Sequence, residues 1–466
     1  MVADGTTVRS PYRHYCDWIA GEDPSRLLTK TAEAETIFRR TGITFNVYGD
    51  QEADERLIPF DIVPRIISGL EWHRLSRGIE QRVRAINAFL YDIYHRQEIL
   101  KAGRIPESLI ARNAAYLPQM QGVDPPGRVY THVVGIDLVR TSEQEFYVLE
   151  DNARTPSGVS YMLENRETML HMFPELFSTI SVQRVNTYPL ELRRSLASCA
   201  PRTSNHRPTV AVLTPGVYNS AYFEHSFLAD EMGAPLVQGH DLRVVDGRLA
   251  MRTTEDYQPI DVLYRRVDDE FLDPLNFNPT SQLGIPGVFD VYRAGNLTIA
   301  NAPGTGIADD KAVYSYMPEI VEFYTGEQPI LKNVPTWRCA EAESLAYVLD
   351  HLEELVVKEV HGSGGYGMLV GPAASAKERD EFGHKLRATP ENYIAQPTLA
   401  LSSVPILTES GLAPRHVDLR PFVLVSPDSI HITPGGLTRV ALEAGSLVVN
   451  SSQGGGTKDT WVLEDF

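Results

Sequence analysis

The run Gly362-Ser363-Gly364-Gly365-Tyr366-Gly367 lies between two short apolar segments, LVVKEV before it and MLVGP after it. It matches G-x-G-x-x-G, but the spacing alone says little. A dinucleotide-binding turn needs a helix directly after the glycines, so that the helix N-terminus meets the pyrophosphate. Here Pro372 stops a β-like segment instead. The predicted unit is therefore strand, glycine turn, strand, a hairpin whose backbone N–H groups can close over an anion. Lys358, four residues before Gly362, would add an ammonium at the end of the first strand. An ordinary tight hairpin with an exposed lysine accounts for this pattern equally well. No Gly-Lys dipeptide occurs in the chain, which excludes a Walker A loop, and HExxH and GxSxG are absent too.

A second pattern carries oxygen ligands. VYTHVVGIDLVR and EFYVLEDN read as two strands joined by TSEQ. Glu150 and Asn152 are two apart, so a strand puts both on one face, with Asp151 on the other. Asp137 can face them across the hairpin. Two carboxylates and a carboxamide oxygen suit Mg²⁺, a hard cation that completes its shell with phosphate and water. A solvated acidic edge strand is the plain alternative. Val148 and Leu149 beside the acids, and Arg154 after them, favour a partly buried and paired site.

The 466 residues predict about three domains at roughly 150 residues each. Residues 1–120 read as a helical region. Within it, Asp61 to Ala102 has apolar residues at helical spacing, and Gly69 and Gly78 are expected to divide it into two helices. Residues 121–205 hold the acidic hairpin and two helical stretches. Residues 206–308 alternate β and α segments, which predicts a parallel sheet. Residues 309–466 begin with a helix, DDKAVYSYMPEIVEFY, and end rich in β. The whole is expected to be α/β with α+β elements.

Acidic residues outnumber basic ones by 61 to 43, a net charge of −18. Such a surface repels phosphate backbones and anionic lipid, so neither nucleic acid nor a membrane is expected as main partner. An anionic ligand must be held by a local cluster of cations. Cys16, Cys199 and Cys339 are too few and too scattered for a disulfide framework or a structural zinc site. The N-terminus shows no apolar leader and no run approaches the roughly 18 apolar residues of a span, so a cytoplasmic protein is expected.

Taken together, these pieces resemble the ATP-grasp superfamily, and the chain resembles a circularly permuted ATP-grasp protein of the glutathionylspermidine synthase-like group. LEDNARTPSG resembles the E-x-N metal motif, and Asp137 in GIDLVR the metal aspartate before it. Lys311 in DDKAVYSYMP looks like the first ATP-binding lysine. VVKEVHGSGGYGM looks like the second, Lys358, with a phosphate lid made by Gly362, Ser363, Gly364, Gly365 and Gly367. YIAQP resembles the hinge beside adenine, with Gln396 in it. VDLRPFVLV and GGLTRVAL resemble the strands bearing two arginines, Arg420 and Arg439. The usual order places lysines, lid and hinge before the metal motif. Here the metal motif comes first, and moving the residues after 205 in front of those before it restores that order. The resemblance covers nearly the whole chain. It implies that residues 121–205 are the metal-binding part of the ATP-grasp core, 206–308 a pre-ATP-grasp substrate domain, and 309–466 the ATP-binding lid with the rest of the core.

The family carries an arginine two residues before its metal aspartate. This chain has Gly135 there, which leaves Arg140, Arg154 or Arg420 to supply the charge. A separate amidase domain is not expected within these 466 residues. The resemblance implies ATP and Mg²⁺ as cofactors, with Mg²⁺ on Asp137, Glu150 and Asn152, and a small-molecule or peptide carboxylate with an amine as substrates. Arg420, Arg439 and Arg154 are the expected catalytic cations. The expected reaction is ATP-dependent amide formation through an acylphosphate. An ATP-binding sensor that engages a protein partner, and phosphoryl transfer to a non-amine acceptor, are the alternatives; a homo-oligomer is compatible with each.

Four further expectations concern other residues. His14, His73 and His132 are read as structural. Tyr218, Asn219, Glu224 and His225 are candidates for an acceptor pocket. Tyr264-Arg265-Arg266 ends a strand where α/β sheets place ligands. GGGTKD, with Lys458, reads as a flexible turn or a second anion loop.

Overall fold

The computed structural model describes residues 2–3, 7–46, 55–142, 145–203, 207–360, 367–399, 401–446, 449 and 455–464. A mixed sheet of ten strands forms its centre. Along its main path the order is Lys332–Asn333, Phe146–Asn152, Val133–Arg140, Gly411–Arg420, Leu437–Val440, Gly456–Val462 and Phe60–Ile67. Phe422–Val425 also pairs with Val133–Arg140 and continues into Ile430–Ile432. Both faces of this sheet are covered, which is why its inner strands read as apolar runs. The long helix Gly69–Ile93 packs Trp72, Leu75, Ile79 and Val83 against Val134, Ile136 and Leu138 on one face. The helix Val159–Met172 meets Val133, Phe422 and Leu437 on the other.

Beside this core stands a smaller parallel sheet, in the order Thr298–Ala300, Val262–Arg265, Val210–Leu213 and Leu236–Val237. It belongs to the segment read as alternating β and α. A third, antiparallel sheet orders Trp337–Arg338, Tyr393–Pro397, Leu355–Glu359 and Met368–Val370. Helices Ala342–Asp350 and Ala376–Ala388 cover one face of it, burying Val357, Leu355 and Ala395. Its other face carries Val356, Lys358, Ile394 and Gln396, because Val356 pairs with Gln396 and Lys358 with Ile394.

Some local expectations are corrected. Asp61 begins no helix: Phe60–Ile67 is a strand, every residue of it buried, in parallel with Gly456–Val462. A strand buried on both faces loses its alternation and cannot be told from a helix by spacing. Gly78 does not divide the following helix, which runs unbroken from Gly69 to Ile93. A Cβ on Gly78 would lie 2.5 Å from Leu331 Cγ, so the glycine serves close packing. The segment from Lys311 is two helices, Lys311–Ser315 and Met317–Thr325, parted at Tyr316 before Pro318. Lys458 lies in neither a turn nor an anion loop. It sits fully buried in the strand Gly456–Val462, donating to Val63 O (2.8 Å) and Pro405 O (2.6 Å) and paired with Asp61 at 2.5 Å.

Candidate active site

Asp137 lies directly opposite Glu150 in the hairpin, and Gly135 opposite Asn152. Leu138 pairs with Val148, which leaves Leu149 as a bulge just before Glu150. Asp137, Glu150 and Asn152 therefore share one face of the sheet, and Asp151 points through to the other, as the two-residue spacing predicts. Asp137 is fully buried. Its Oδ1 and Oδ2 accept Arg420 Nε at 2.5 Å and Nη2 at 2.7 Å, and Oδ2 also accepts Arg439 Nη2 at 2.6 Å. Burial works against ionisation of Asp137, but the two guanidiniums outweigh it and hold the carboxyl well below the usual range.

Arg439 is itself held by Asp418, its directly paired neighbour on the adjoining strand, through a short Nη2–Oδ2 contact and Nε at 3.0 Å. Asp418 was not singled out in the sequence. The alternation in VDLR, which puts 418 and 420 on one face, is the signal that could have found it. Arg420 Nη2 also lies 3.7 Å from Glu150. Burial and the facing Asp137 push the Glu150 carboxyl up, against the pull of Lys311 and Arg420.

The question left by Gly135 has a geometric answer. The stem of Arg420 lies over it: a Cβ there would sit 3.3 Å from Arg420 Cδ and 3.2 Å from Pro156 Cβ. Arg420 brings its guanidinium to the aspartate from a different strand. Arg140 is on the far side, 2.7 Å from Glu71. Arg154 stands away from Asp137, paired with Asp268 at 3.3 Å and 3.9 Å from Asp309.

Lys358 approaches from the third sheet. Its ammonium donates to Gln396 Oε1 at 2.8 Å, and Gln396 Nε2 donates to Thr336 Oγ1 at 3.0 Å. The Gln396 side chain thus holds the lysine. Burial pushes Lys358 down to about 8, with Glu150 acting the other way and Lys311 in the same direction. Lys311 is the first residue of its short helix, capped by Asp310 Oδ1, which accepts from Ala312 N (2.9 Å) and Val313 N (3.0 Å). Four cations from separate segments, Lys311, Lys358, Arg420 and Arg439, therefore act on two facing carboxylates. Such a local concentration can receive an anion despite the net charge of the chain. Gly362, Ser363, Gly364 and Gly365 lie outside the described residues. Gly367, which is described, has φ +68°, a backbone suited to glycine.

The donor set fits Mg²⁺. Among the described residues no group of three His, Cys, Asp or Glu side chains is arranged to hold a metal ion. The site offers the Glu150 carboxylate, the Asn152 amide oxygen and the Asp137 carboxylate, whose oxygens also accept from Arg420 and Arg439; the buried Asn152 Nδ2 has no hydrogen-bond partner among the described residues. Mg²⁺ keeps waters and phosphate oxygens and does not need an all-protein cage. A cation beside Glu150 would also relieve the like-charge repulsion that raises this carboxyl.

The loop Ala153–Gly158 leaves this site toward the parallel sheet and is held from several sides. Arg420 Nη1 donates to Ser157 O at 3.2 Å. Arg266 donates to Pro156 O at 2.8 Å and to Ser157 Oγ at 2.5 Å. Glu224 Oε2 accepts from Gly158 N (2.7 Å) and Ser160 N (3.1 Å) at the start of the next helix. Asn301 Oδ1 accepts from His132 N and Val133 N, and its Nδ2 donates to Val133 O, Ala153 O and Arg154 O. Neither Asn301 nor Ser157 carries a signal in the sequence. Arg265 is internal, bonded to Asn301 O, Val267 O and Ala302 O. His225 is buried on Thr214 Oγ1 at 2.9 Å, and Asn219 Oδ1 accepts from Ala221 N at 2.9 Å in the turn before the helix Tyr222–Met232, without capping it. Of that group Tyr218 is the open side chain, 91% exposed.

An acidic hairpin, a lysine-bearing antiparallel sheet and an arginine pair on the core sheet, joined in this order, define a permuted ATP-grasp protein. The sequence matches the family "Circularly permuted ATP-grasp type 2" over residues 64–441, and the chain belongs to that family. Proteins of this superfamily use ATP with Mg²⁺. The chain is 52% identical to an uncharacterized Synechocystis protein, over 96% of this chain and 93% of that one. It is 50% identical to an uncharacterized Mycobacterium tuberculosis protein, over 98% and 82%. It is also 41% identical to a Frankia alni protein named "Putative glutamate--cysteine ligase 2-3", over 99% of this chain but only 53% of that one. The solved structure of a glutathione synthetase-like effector from Globodera pallida shares the fold, with TM-score 0.60 and 11% identity over 95% and 98% of the two chains. Among the described residues no helix is long and apolar enough to cross a membrane.

Proposed function

We propose that this protein is an ATP- and Mg²⁺-dependent carboxylate–amine ligase. The observation that carries the reading is the convergence of Lys311, Lys358, Arg420 and Arg439 on the facing pair Asp137 and Glu150. A site that only bound nucleotide would need the lysines; a carboxylate face opposite them, with Asp137 buried and Glu150 partly exposed, adds the means for phosphoryl transfer. Glu150 and Asn152, with Asp137, would hold Mg²⁺, which supplies charge neutralisation on the phosphates when bound. Lys358, kept in place by Gln396, and Lys311 bind phosphate oxygens. Arg420 orients the carboxylate substrate against the terminal phosphate, and Arg439 fixes Arg420 and Asp137 in register. The carboxylate oxygen attacks the terminal phosphorus and ADP leaves. The amine then attacks the activated carbonyl carbon, and phosphate departs as the amide forms and the amine loses its proton. The Frankia protein, of which this chain spans 53%, is named as a putative glutamate–cysteine ligase, and in keeping with that name the substrates we propose are an amino acid or short peptide carboxylate and an amine.

The test is Mg²⁺-dependent ADP release against pooled carboxylates, peptides and amines, with wild type beside Glu150→Gln and Lys358→Ala. A signal that requires both a carboxylate and an amine, and is lost in both variants, supports the ligase. Nucleotide binding without turnover in any pool favours a sensor. ADP release that a carboxylate or another acceptor stimulates and amines do not would indicate phosphoryl transfer alone.

A further inference from the structure

Asp151, between Glu150 and Asn152, is turned to the opposite face of the sheet and is 2% exposed. Its two oxygens accept Arg82 Nε and Nη2, each at 2.6 Å. The third nitrogen, Nη1, donates to Asn333 Oδ1 at 2.7 Å. Asn333 Nδ2 in turn donates to Tyr314 O at 2.7 Å. The Tyr314 hydroxyl donates to Val148 O at 2.5 Å and accepts Val334 N at 3.0 Å, and the Arg82 guanidinium lies 5.6 Å from the Tyr314 ring centroid. Tyr314 belongs to the short helix that begins with Lys311. The bonds close a circuit that runs from the strand of Glu150 and Asn152 to Arg82, Asn333 and Tyr314, and back to the same strand at Val148.

This circuit is buried and lies on the face of the sheet away from the proposed chemistry. Replacing both members of a buried ion pair by apolar groups is often neutral for stability, so folding alone does not call for it. A planar guanidinium with three fixed partners does something an apolar contact cannot: it sets distance and angle. We infer that Arg82 is a positioning residue, which through Asp151 and Tyr314 fixes the spacing between the Glu150–Asn152 donor pair and Lys311 from behind the sheet. Groups hydrogen-bonded directly to metal ligands change metal affinity by about 10–100-fold when removed; Arg82 acts one step further away, through Asp151, the chain neighbour of Glu150 and Asn152, so an effect at the lower end is expected. The role toward metal and nucleotide rests on the function proposed above; the mechanical coupling of strand and helix does not.

The experiment compares wild type with Arg82→Met/Asp151→Leu, which removes both charges, and with Arg82→Lys, which keeps the charge but not the fork. Three quantities are read: the melting temperature, the Mg²⁺ concentration that half-saturates binding of a fluorescent ATP analogue, and amide hydrogen exchange over residues 146–152 and 311–315. The expected result is a melting temperature within a few degrees of wild type and a half-saturating Mg²⁺ concentration raised about tenfold in both variants. Exchange should accelerate in the two segments together. Unchanged Mg²⁺ dependence in a protein whose wild type binds the analogue would overturn the inference, as would faster exchange in the strand alone. If wild type binds no nucleotide, the ligase reading falls and exchange decides Arg82 by itself: joint acceleration upholds the coupling and independent behaviour refutes it. Should the double variant not fold, Arg82→Lys carries the same comparison.

Discussion

Arg420 grips Asp137 with both sides of its guanidinium, at 2.5 and 2.7 Å, while its stem crosses Gly135. Asp137 is fully buried, the Arg420 side chain is 12% exposed, and Arg439 leans on the same carboxylate at 2.6 Å. Asp137→Asn would leave two guanidiniums facing a neutral amide, and removing one partner of a buried ion pair costs about 3–5 kcal/mol. Urea unfolding should show a loss of that size. Arg420→Lys keeps the charge but loses the fork, so ADP release should fall more than tenfold with a smaller change in the unfolding midpoint. Equal loss of stability in both variants would mean that Arg420 serves only the fold.

Lys358 owes its lowered pKa, about 8, first to burial. Its charge is needed to hold phosphate, so nucleotide affinity should decline as pH rises through about 8, and binding above that pH should take up a proton. Lys358→Arg stays charged throughout and should flatten the decline. Calorimetric titrations in buffers of different ionisation enthalpy read both the affinity and the proton uptake. The stability contribution has the opposite trend: between about 8 and the ordinary lysine value of 10.5, the unfolded chain holds the extra proton, so this group makes folding more favourable as pH rises.

Gly78 should tolerate no side chain. A Cβ there meets Leu331 Cγ at 2.5 Å, between the long helix and the segment leading to Lys332–Asn333. Gly78→Ala gains about 1 kcal/mol of helix propensity, yet overpacking a filled core costs about 1–3 kcal/mol. Net destabilisation in urea is expected, larger for Gly78→Val. A stabilised Gly78→Ala would show that the helix and Leu331 can part without cost.

What the sequence disclosed and what it withheld differ by range of interaction. The hairpin face of Asp137, Glu150 and Asn152, and the turn of Asp151 to the opposite face, follow from a period of two and were legible. In the sheet that carries Lys358, the strands Leu355–Glu359, Met368–Val370 and Tyr393–Pro397 were legible because glycine and proline punctuate them, and the two-residue strand Trp337–Arg338 was not. Phe60–Ile67 was not, since burial on both faces erases the alternation that marks a strand. Gly78 looked like a helix break because its reason, Leu331, is far away in the chain. Lys458 in its glycine-rich stretch read as part of a flexible turn or of an anion loop, and only the pairing with Asp61, 2.5 Å away, shows that it braces the core. Asn301 and Ser157 act through contacts across the boundary between two sheets, for which a single sequence carries no local mark.

Asp309 supplies a pH signature at that same boundary. Its Oδ1 accepts from Ala153 N at 2.5 Å and Arg154 N at 3.2 Å, just after the strand of Glu150 and Asn152. Burial raises its pKa to about 7, although both N–H groups and Arg154 pull the other way. The folded protein therefore keeps this proton where the unfolded chain, with an ordinary value of 3.8, has already lost it. Stability falls wherever the native state binds more protons, so this group makes folding less favourable from about pH 4 up to about pH 7, with no further change above. Asp309→Asn keeps an oxygen for the two N–H groups and cannot ionise. Its melting temperature should match wild type near pH 4, exceed it at pH 8, and lose the intervening slope. A wild-type curve that rises across this range with the same shape in Asp309→Asn would show that the carboxyl is ionised in the folded state and that Arg154 outweighs burial.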